Sequence, residues 1–241
     1  MRPVPFYFLY EPIAGLSHLI AAVLTVYAGW RLILKARGDG FKVGASFLYA
    51  GCLLALFSIS GAYHSLPPGP WKNFFHRLDY MAIWLVIAGS ATPVHLLLLR
   101  GFWRWGMLAL FWAWALTNLL ILDGRYSHLP YAAVVGLYLA VSVIAVVSLY
   151  RLHRRFSPRT LATLTLGCLL YVAGALIDYV EAPVIIHGVL GPHEIFHLFV
   201  VAAAACHYVF IYGWVDVKLR KVKLVLKRPV RYGRTAPARG S

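Results

Sequence analysis

The stretch GPHEIFHLFVV, residues 191–201, sets His193 and His197 around Glu194 in the pattern H-E-x-x-H. Side chains four apart lie one turn above the other on a single helical face, so the two imidazoles can share a cation. Two earlier stretches carry chemistry that matches. SISGAYHSLPPG puts Ser60 and His64 one turn apart, and FHRLDYMAIWLVIAGSATP brings Asp79 in after a short connection. If the three segments meet, His64, His193 and His197 supply three neutral nitrogen ligands, a set suited to tetrahedral zinc with one position left for water. An open position serves chemistry more than scaffolding. Asp79 would then accept a hydrogen bond from that water or take its proton, and Ser60 would donate to a metal ligand, to the water or to a developing oxyanion.

The same five letters spell the zinc helix of a site-2-type intramembrane metalloprotease, with Glu194 as base and a later aspartate, in an L-D-G setting, as third ligand. Leu122-Asp123-Gly124 exists, but it precedes the histidines, and the only acid after His197 is Asp216. The protease reading therefore ranks third. Glu194 points about 100° away from His193 around the helix, and a carboxylate at that place suits the positive end of a helix dipole.

These residues need a scaffold, and composition dictates its class. Of 241 residues, 61% are hydrophobic and 13% charged, against about a quarter charged in soluble domains. Seven stretches approach the roughly 20 apolar residues that cross a bilayer as a helix: Ile13 to Leu34, Val43 to Tyr63, Leu78 to Leu99, Trp105 to Leu122, Leu129 to Tyr150, Leu161 to Val180, and His193 to Trp214. The expected fold is all-α, a polytopic seven-transmembrane-helix bundle over residues 1–217 with a basic tail over 218–241. No cleaved signal peptide is read at the N-terminus. Cys52, Cys168 and Cys206 lie within apolar spans without a CxxC pair, which suits core filler rather than a thiolate site.

The net charge of +15 is distributed by topology. Nineteen of 23 basic residues fall on one side of a seven-span arrangement, and nine of those are in the tail; Arg2, Lys72, Arg77 and Arg125 fall on the other. The positive-inside rule then places the C-terminus in the cytoplasm and the N-terminus outside the cell (inner) membrane. The tail is expected to anchor topology and touch anionic lipid headgroups, with no nucleic acid as partner. The opposite pole collects His18, His64, His76, His128, His187, His193 and His197, with Glu11, Asp79, Asp123, Asp178, Glu181 and Glu194. Ionisable groups at the edges of or within spans cost about 2.5–3.5 kcal/mol on insertion scales and face a bundle interior. A buried polar site near that face follows. His18 is expected to pack or to support a ligand from outside; Asp178 and Glu181 line a polar entrance, pair with Arg125, or end their helix in solvent.

Ser60-x-x-x-His64, Asp79 with IAGSATP after it, HEIFHLFVVAAAACHY in the last span and EPIAGLSH before the first together resemble the hemolysin III family, the bacterial branch of the progestin and adiponectin receptor family. The resemblance runs from Glu11 to Trp214. It implies zinc on His64, His193 and His197, with Asp79 and Ser60 in the inner polar shell. Its link to alkaline ceramidases implies hydrolysis of a lipid amide or ester bond. Gly15 stands where members often carry Asn, and Tyr80 where they often carry a basic residue or His; the first of these departures would leave EPIAGLSH without a polar role. The receptors of the family keep their N-terminus in the cytoplasm, opposite to the charge count here. The resulting expectation is a zinc-dependent hydrolase with membrane lipids as substrates; the alternative, from a different class, is a non-enzymatic sensor or receptor of membrane state with structural zinc.

Overall fold

A computed structural model describes residues 10–122, 129–187 and 189–216. Within them the chain forms α1 (Pro12–Lys35), α2 (Gly40–Ser65), α3 (Pro70–Leu98), α4 (Phe102–Leu122), α5 (Tyr131–His153), α6 (Pro158–Val180) and α7 (Pro192–Trp214). Local chemistry sets where they start. α1, α3, α6 and α7 each carry proline in the first turn, where its missing N–H has no intrahelical partner to lose. At α2, the Asp39 carboxylate caps the start, accepting from the backbone N–H groups of Phe41 at 3.1 Å and Lys42 at 3.3 Å. Ser157 accepts from the Thr160 N–H at 3.3 Å to begin α6.

Six helices are long and apolar enough to cross a membrane, and α4 adds a 21-residue helix to the bundle, roughly 31 Å at 1.5 Å per residue. Leu24, Val143, Val146 and Leu169 stand exposed on the outside. Hydrocarbon is the solvent such an exterior requires, and helices satisfy their own backbone groups there.

The helices follow one another around the bundle: α1 packs on α2, α2 on α3, α3 on α4 and α6 on α7, while α7 closes back on α1 and also reaches α3. Leu32, Tyr49, Phe57, Val86, Val200 and Ile211 belong to the main core. A second core gathers Trp84, Phe111 and Val141, with Trp84 stacked on Tyr138 at a ring separation of 4.4 Å.

Glycine brings α1 and α2 together at one pole. A Cβ on Gly15 would lie 2.9 Å from Ser65 Oγ, and one on Gly61 would lie 2.8 Å from the Leu19 side chain. A side chain at position 15 would have to displace the Ser65 hydroxyl.

Helix ends lie within a few residues of the expected spans except at α3, which begins at Pro70 rather than at Leu78. Lys72, Asn73, His76 and Arg77 interrupt the apolar run, so hydropathy alone stops short of the first two turns. The backbone continues because Pro70 starts it and nothing in those turns breaks a helix. The expected boundary between bundle and tail falls at the edge of the described residues, and the tail itself lies outside them.

Candidate metal centre

Because successive helices reverse direction, the end of α2 and the starts of α1, α3 and α7 share a pole. His64 sits in the last turn of α2; His193 and His197 occupy the first two turns of α7. One nitrogen from each of the three rings lies within 4.8 Å of the other two, a group that could hold a metal ion. The Nε2 atoms of His193 and His197 are 3.1 Å apart. Two ligands about 2.05 Å from a tetrahedral zinc are separated by about 3.3 Å, so the spacing is of the correct size.

The other nitrogen of each ring has a partner of its own. His64 Nδ1 is hydrogen-bonded to the Glu11 carboxylate. His193 Nδ1 donates to Asp178 Oδ1 at 3.0 Å. His197 Nδ1 lies 3.0 Å from Nε2 of His18. Glu11, Asp178 and His18 thus orient three rings from behind, the arrangement that fixes the tautomer of metal-ligating histidines and raises their basicity.

Protons held on the δ side leave bare lone pairs on the ε side, all aimed at one another. His64 Nε2 is buried and has no hydrogen-bond partner among the described residues. Leaving a buried acceptor unsatisfied costs about 1–3 kcal/mol, and converging lone pairs repel. A divalent cation removes both penalties, so the residues fit a metal. His64 and His197 are 1% and 2% exposed, whereas the His193 side chain is 46% exposed. The cluster therefore opens on the His193 side.

Glu11 is built into the frame as well as the site. Its backbone N–H donates to the His64 carbonyl at 2.9 Å, beside a Tyr10 N–H bond to the Ser65 carbonyl at 3.4 Å. Lys72 Nζ donates to Glu11 Oε1 at 2.8 Å and to the Leu66 carbonyl at 3.2 Å. The same ammonium lies 4.5 Å from the Tyr10 ring centre and 4.9 Å from that of Tyr63. Burial pushes the Glu11 carboxyl up, but the hydrogen bonds from His64 and Lys72 outweigh it and bring it down from 4.5 to about 2. The segment EPIAGLSH is thus polar in function at both ends, through Glu11 and His18. This corrects the expectation drawn from Gly15, whose small size serves the helix contact instead.

Asp79 comes in from α3 with Oδ2 3.9 Å from His64 Nε2. Ser60, 1% exposed, lies one turn before His64 on the same face of α2,. One turn outward from Asp79, His76 stacks on Tyr63 and meets Tyr80 edge-on, each with a ring separation of 4.9 Å. These aromatics wall the side of the cluster that faces α3.

Glu194 does not face the cluster. It sits at the third position of α7 and accepts from the Gly191 N–H at 2.9 Å, the glutamate half of a capping box. Its place in the spelled motif is that of a helix cap. Asp123 and Gly124 of the L-D-G triplet lie outside the described residues, as do Arg125 and His128. His207 is buried deeper along α7, 3.7 Å from Cys168 Sγ. The three cysteines are free. Glu181 caps the end of α6 and is exposed.

Sequence reasoning gathered the three histidines, Ser60 and Asp79 at one pole, and the structure brings all five together. It passed over Glu11 as a partner and left Asp178 among alternatives. The available signal was the count of acids on a pole depleted of lysine and arginine, together with Glu11 standing directly before a helix-starting proline.

The family described as Haemolysin-III related matches residues 6–208. Among curated proteins, the chain is 29% identical over 201 residues to Hemolysin-3 of Bacillus cereus, covering 82% of this chain and 89% of that protein. It is 26% identical over 204 residues to a Hemolysin-3 homolog of Bacillus subtilis (strain 168), covering 82% and 91%.

Proposed function

The chain belongs to the Haemolysin-III related family, and from that premise we propose that this membrane protein is a zinc-dependent hydrolase of a lipid amide or ester bond. One observation carries the reading: a half-buried carboxylate, Asp79, lies beside three convergent imidazole nitrogens whose outer sides are already committed. Zinc suits three nitrogen ligands and, when bound, supplies Lewis acidity and a water of lowered pKa. Asp79 is the general base, accepting the proton of the attacking water and passing it to the leaving amine or alcohol. Ser60, buried one turn before His64, supplies a hydroxyl that donates to that carboxylate or to the developing oxyanion. Glu11, Asp178 and His18 hold the imidazoles by their δ-nitrogens and keep them correctly turned.

A second reading is a sensor of membrane state in which the metal ties α2 to α7 and nothing turns over. The near-complete burial of His64 and His197 favours it, because a cross-link needs no access. The deciding experiment incubates purified protein in bilayers with a panel of ceramide-like and ester lipids and follows product by mass spectrometry. Product that requires added zinc supports the hydrolase. No turnover across the panel, from protein that retains its metal, overturns it in favour of the sensor.

The excess of basic residues on one side supports an orientation with the N-terminus outside and the C-terminus cytoplasmic, in the cell (inner) membrane,. The basic tail is read as contacting anionic headgroups on that cytoplasmic face.

A further inference from the structure

We infer that the seam between α1, α2 and α7 binds one acyl chain of an anionic phospholipid, at a place distinct from the metal centre. A cavity of about 150 Å³ lies there, lined among others by Ala21, Ala28 and Gly29 of α1, Tyr49 of α2, and Ala205 and Tyr208 of α7. It follows α1 from Ala21 to Leu32, roughly 16 Å at the helical rise. Leu24 and Ala205 on its rim are exposed, so the cavity is an open groove toward the surrounding hydrocarbon.

The lining decides the chemistry of the occupant. Its three polar groups are all turned to the protein: the Thr25 hydroxyl donates to the Ala21 carbonyl at 2.7 Å, Tyr49 to the Ala204 carbonyl at 3.4 Å, and Tyr208 to the Ala28 carbonyl at 3.1 Å. No side-chain donor is left for a ligand, so the groove takes hydrocarbon. Small residues, Ala21, Ala28, Gly29 and Ala205, leave the space between larger apolar side chains, and a volume of about 150 Å³ suits one chain rather than two.

Charge at the foot selects the headgroup. The groove ends at Leu32, beside the exposed Arg31. Its guanidinium donates to the Tyr27 hydroxyl at 2.8 Å and has no ion-pair partner among the described residues. Lys35, one turn on, already pairs with Asp216 at 3.5 Å. Arg31 is therefore the cation offered to a phosphate at the basic face, with the chain running inward along α1.

At its far end the groove meets Phe57, whose ring lies 5.1 Å from that of His18, edge to face. This pair walls the groove off from the three ligand nitrogens, which makes the bound chain a resident and not the lipid being cleaved. Binding is thus independent of whether the metal centre hydrolyses anything.

The test uses photo-crosslinking in vesicles of phosphatidylcholine doped with a phosphatidylglycerol probe carrying a diazirine in one acyl chain. The matching phosphatidylcholine probe serves as control, and labelled peptides are mapped by mass spectrometry. Label from the anionic probe should concentrate on α1, α2 and α7 at the groove and exceed that on the outward faces of α5 and α6. Ala205→Phe, on the lipid-facing rim, should remove it by filling the groove without burdening the fold. Arg31→Gln should reduce it by about fivefold, the factor expected for one basic group at a membrane surface. Metal content and melting temperature of each variant report that the fold is intact. Uniform label over all lipid-facing helices, equal label from both probes, or label indifferent to Ala205→Phe would each overturn the proposal.

Discussion

Glu11 and His64 stand 53 positions apart, and the carboxylate of one holds the δ-nitrogen of the other while its backbone N–H holds the other's carbonyl. A residue just outside α1 thereby sets the orientation of a ring at the end of α2. Removing the carboxylate should loosen the ring without removing it. Glu11→Ala is expected to weaken zinc affinity by about 10–100-fold, the usual cost of losing an outer partner, as read by chelator competition.

His18 does the same for His197 from α1. His18→Ala should fall in the same range of about 10–100-fold, whereas His64→Ala, which deletes a ligand, should bring zinc per chain to background in elemental analysis. If His18→Ala lost all its metal and His64→Ala kept it, the roles assigned to the two rings would be exchanged.

On the proposed function, Asp79 takes the proton of the attacking water and is not needed to hold the ion. Asp79→Asn should retain zinc yet lose about 10²–10⁴-fold in lipid hydrolysis, the span typical of general-base removal. Loss of zinc together with activity would instead make Asp79 a ligand.

A metal bridging α2 and α7 stabilises the native bundle by mass action. At free zinc one hundred times its dissociation constant the gain is about 2.7 kcal/mol. Chelation should lower the melting temperature of the wild type and leave that of His64→Ala unchanged. Equal response of the two proteins would show that the stabilising ion sits elsewhere.

A Cβ on Gly15 would crowd the Ser65 hydroxyl at 2.9 Å and lie against the Ser65 backbone nitrogen at 3.4 Å. Gly15→Asn should push α1 from α2 at a cost of about 1–3 kcal/mol, typical of overpacking, and should carry the Glu11 contact away with it. The measurable signature is a lower melting temperature accompanied by weaker zinc binding.

The architecture was legible because hydrocarbon imposes long apolar segments and alternating direction, and together these sort polar residues to poles. That logic put Ser60, His64, Asp79, His193 and His197 at one depth. It did not reveal Glu11 because a carboxylate just outside a span looks like any interfacial acid; only the packing of α1 on α2, permitted by Gly15 and Gly61, turns it toward His64. The early start of α3 was hidden for a related reason. Lys72 and His76 lower the local hydropathy of a helix whose outer turns wall the site rather than meet lipid.

Orientation rests on charge alone and has its own check. A reporter fused after Ser241 should read as cytoplasmic, given nineteen basic residues on that side,. A periplasmic signal would reverse the bilayer face to which the histidine cluster is assigned.

The cap at the start of α7 bears on how short patterns are interpreted. A helix that opens one residue ahead of its first coordinating histidine must put its third position, the natural seat for an acid that closes the amino end, immediately after that histidine,. The fourth residue along from that histidine then lies one turn away on the same face. Glutamate between two such histidines is therefore written by the demands of starting a helix, and proteins with no proteolytic chemistry can be expected to converge on those five letters.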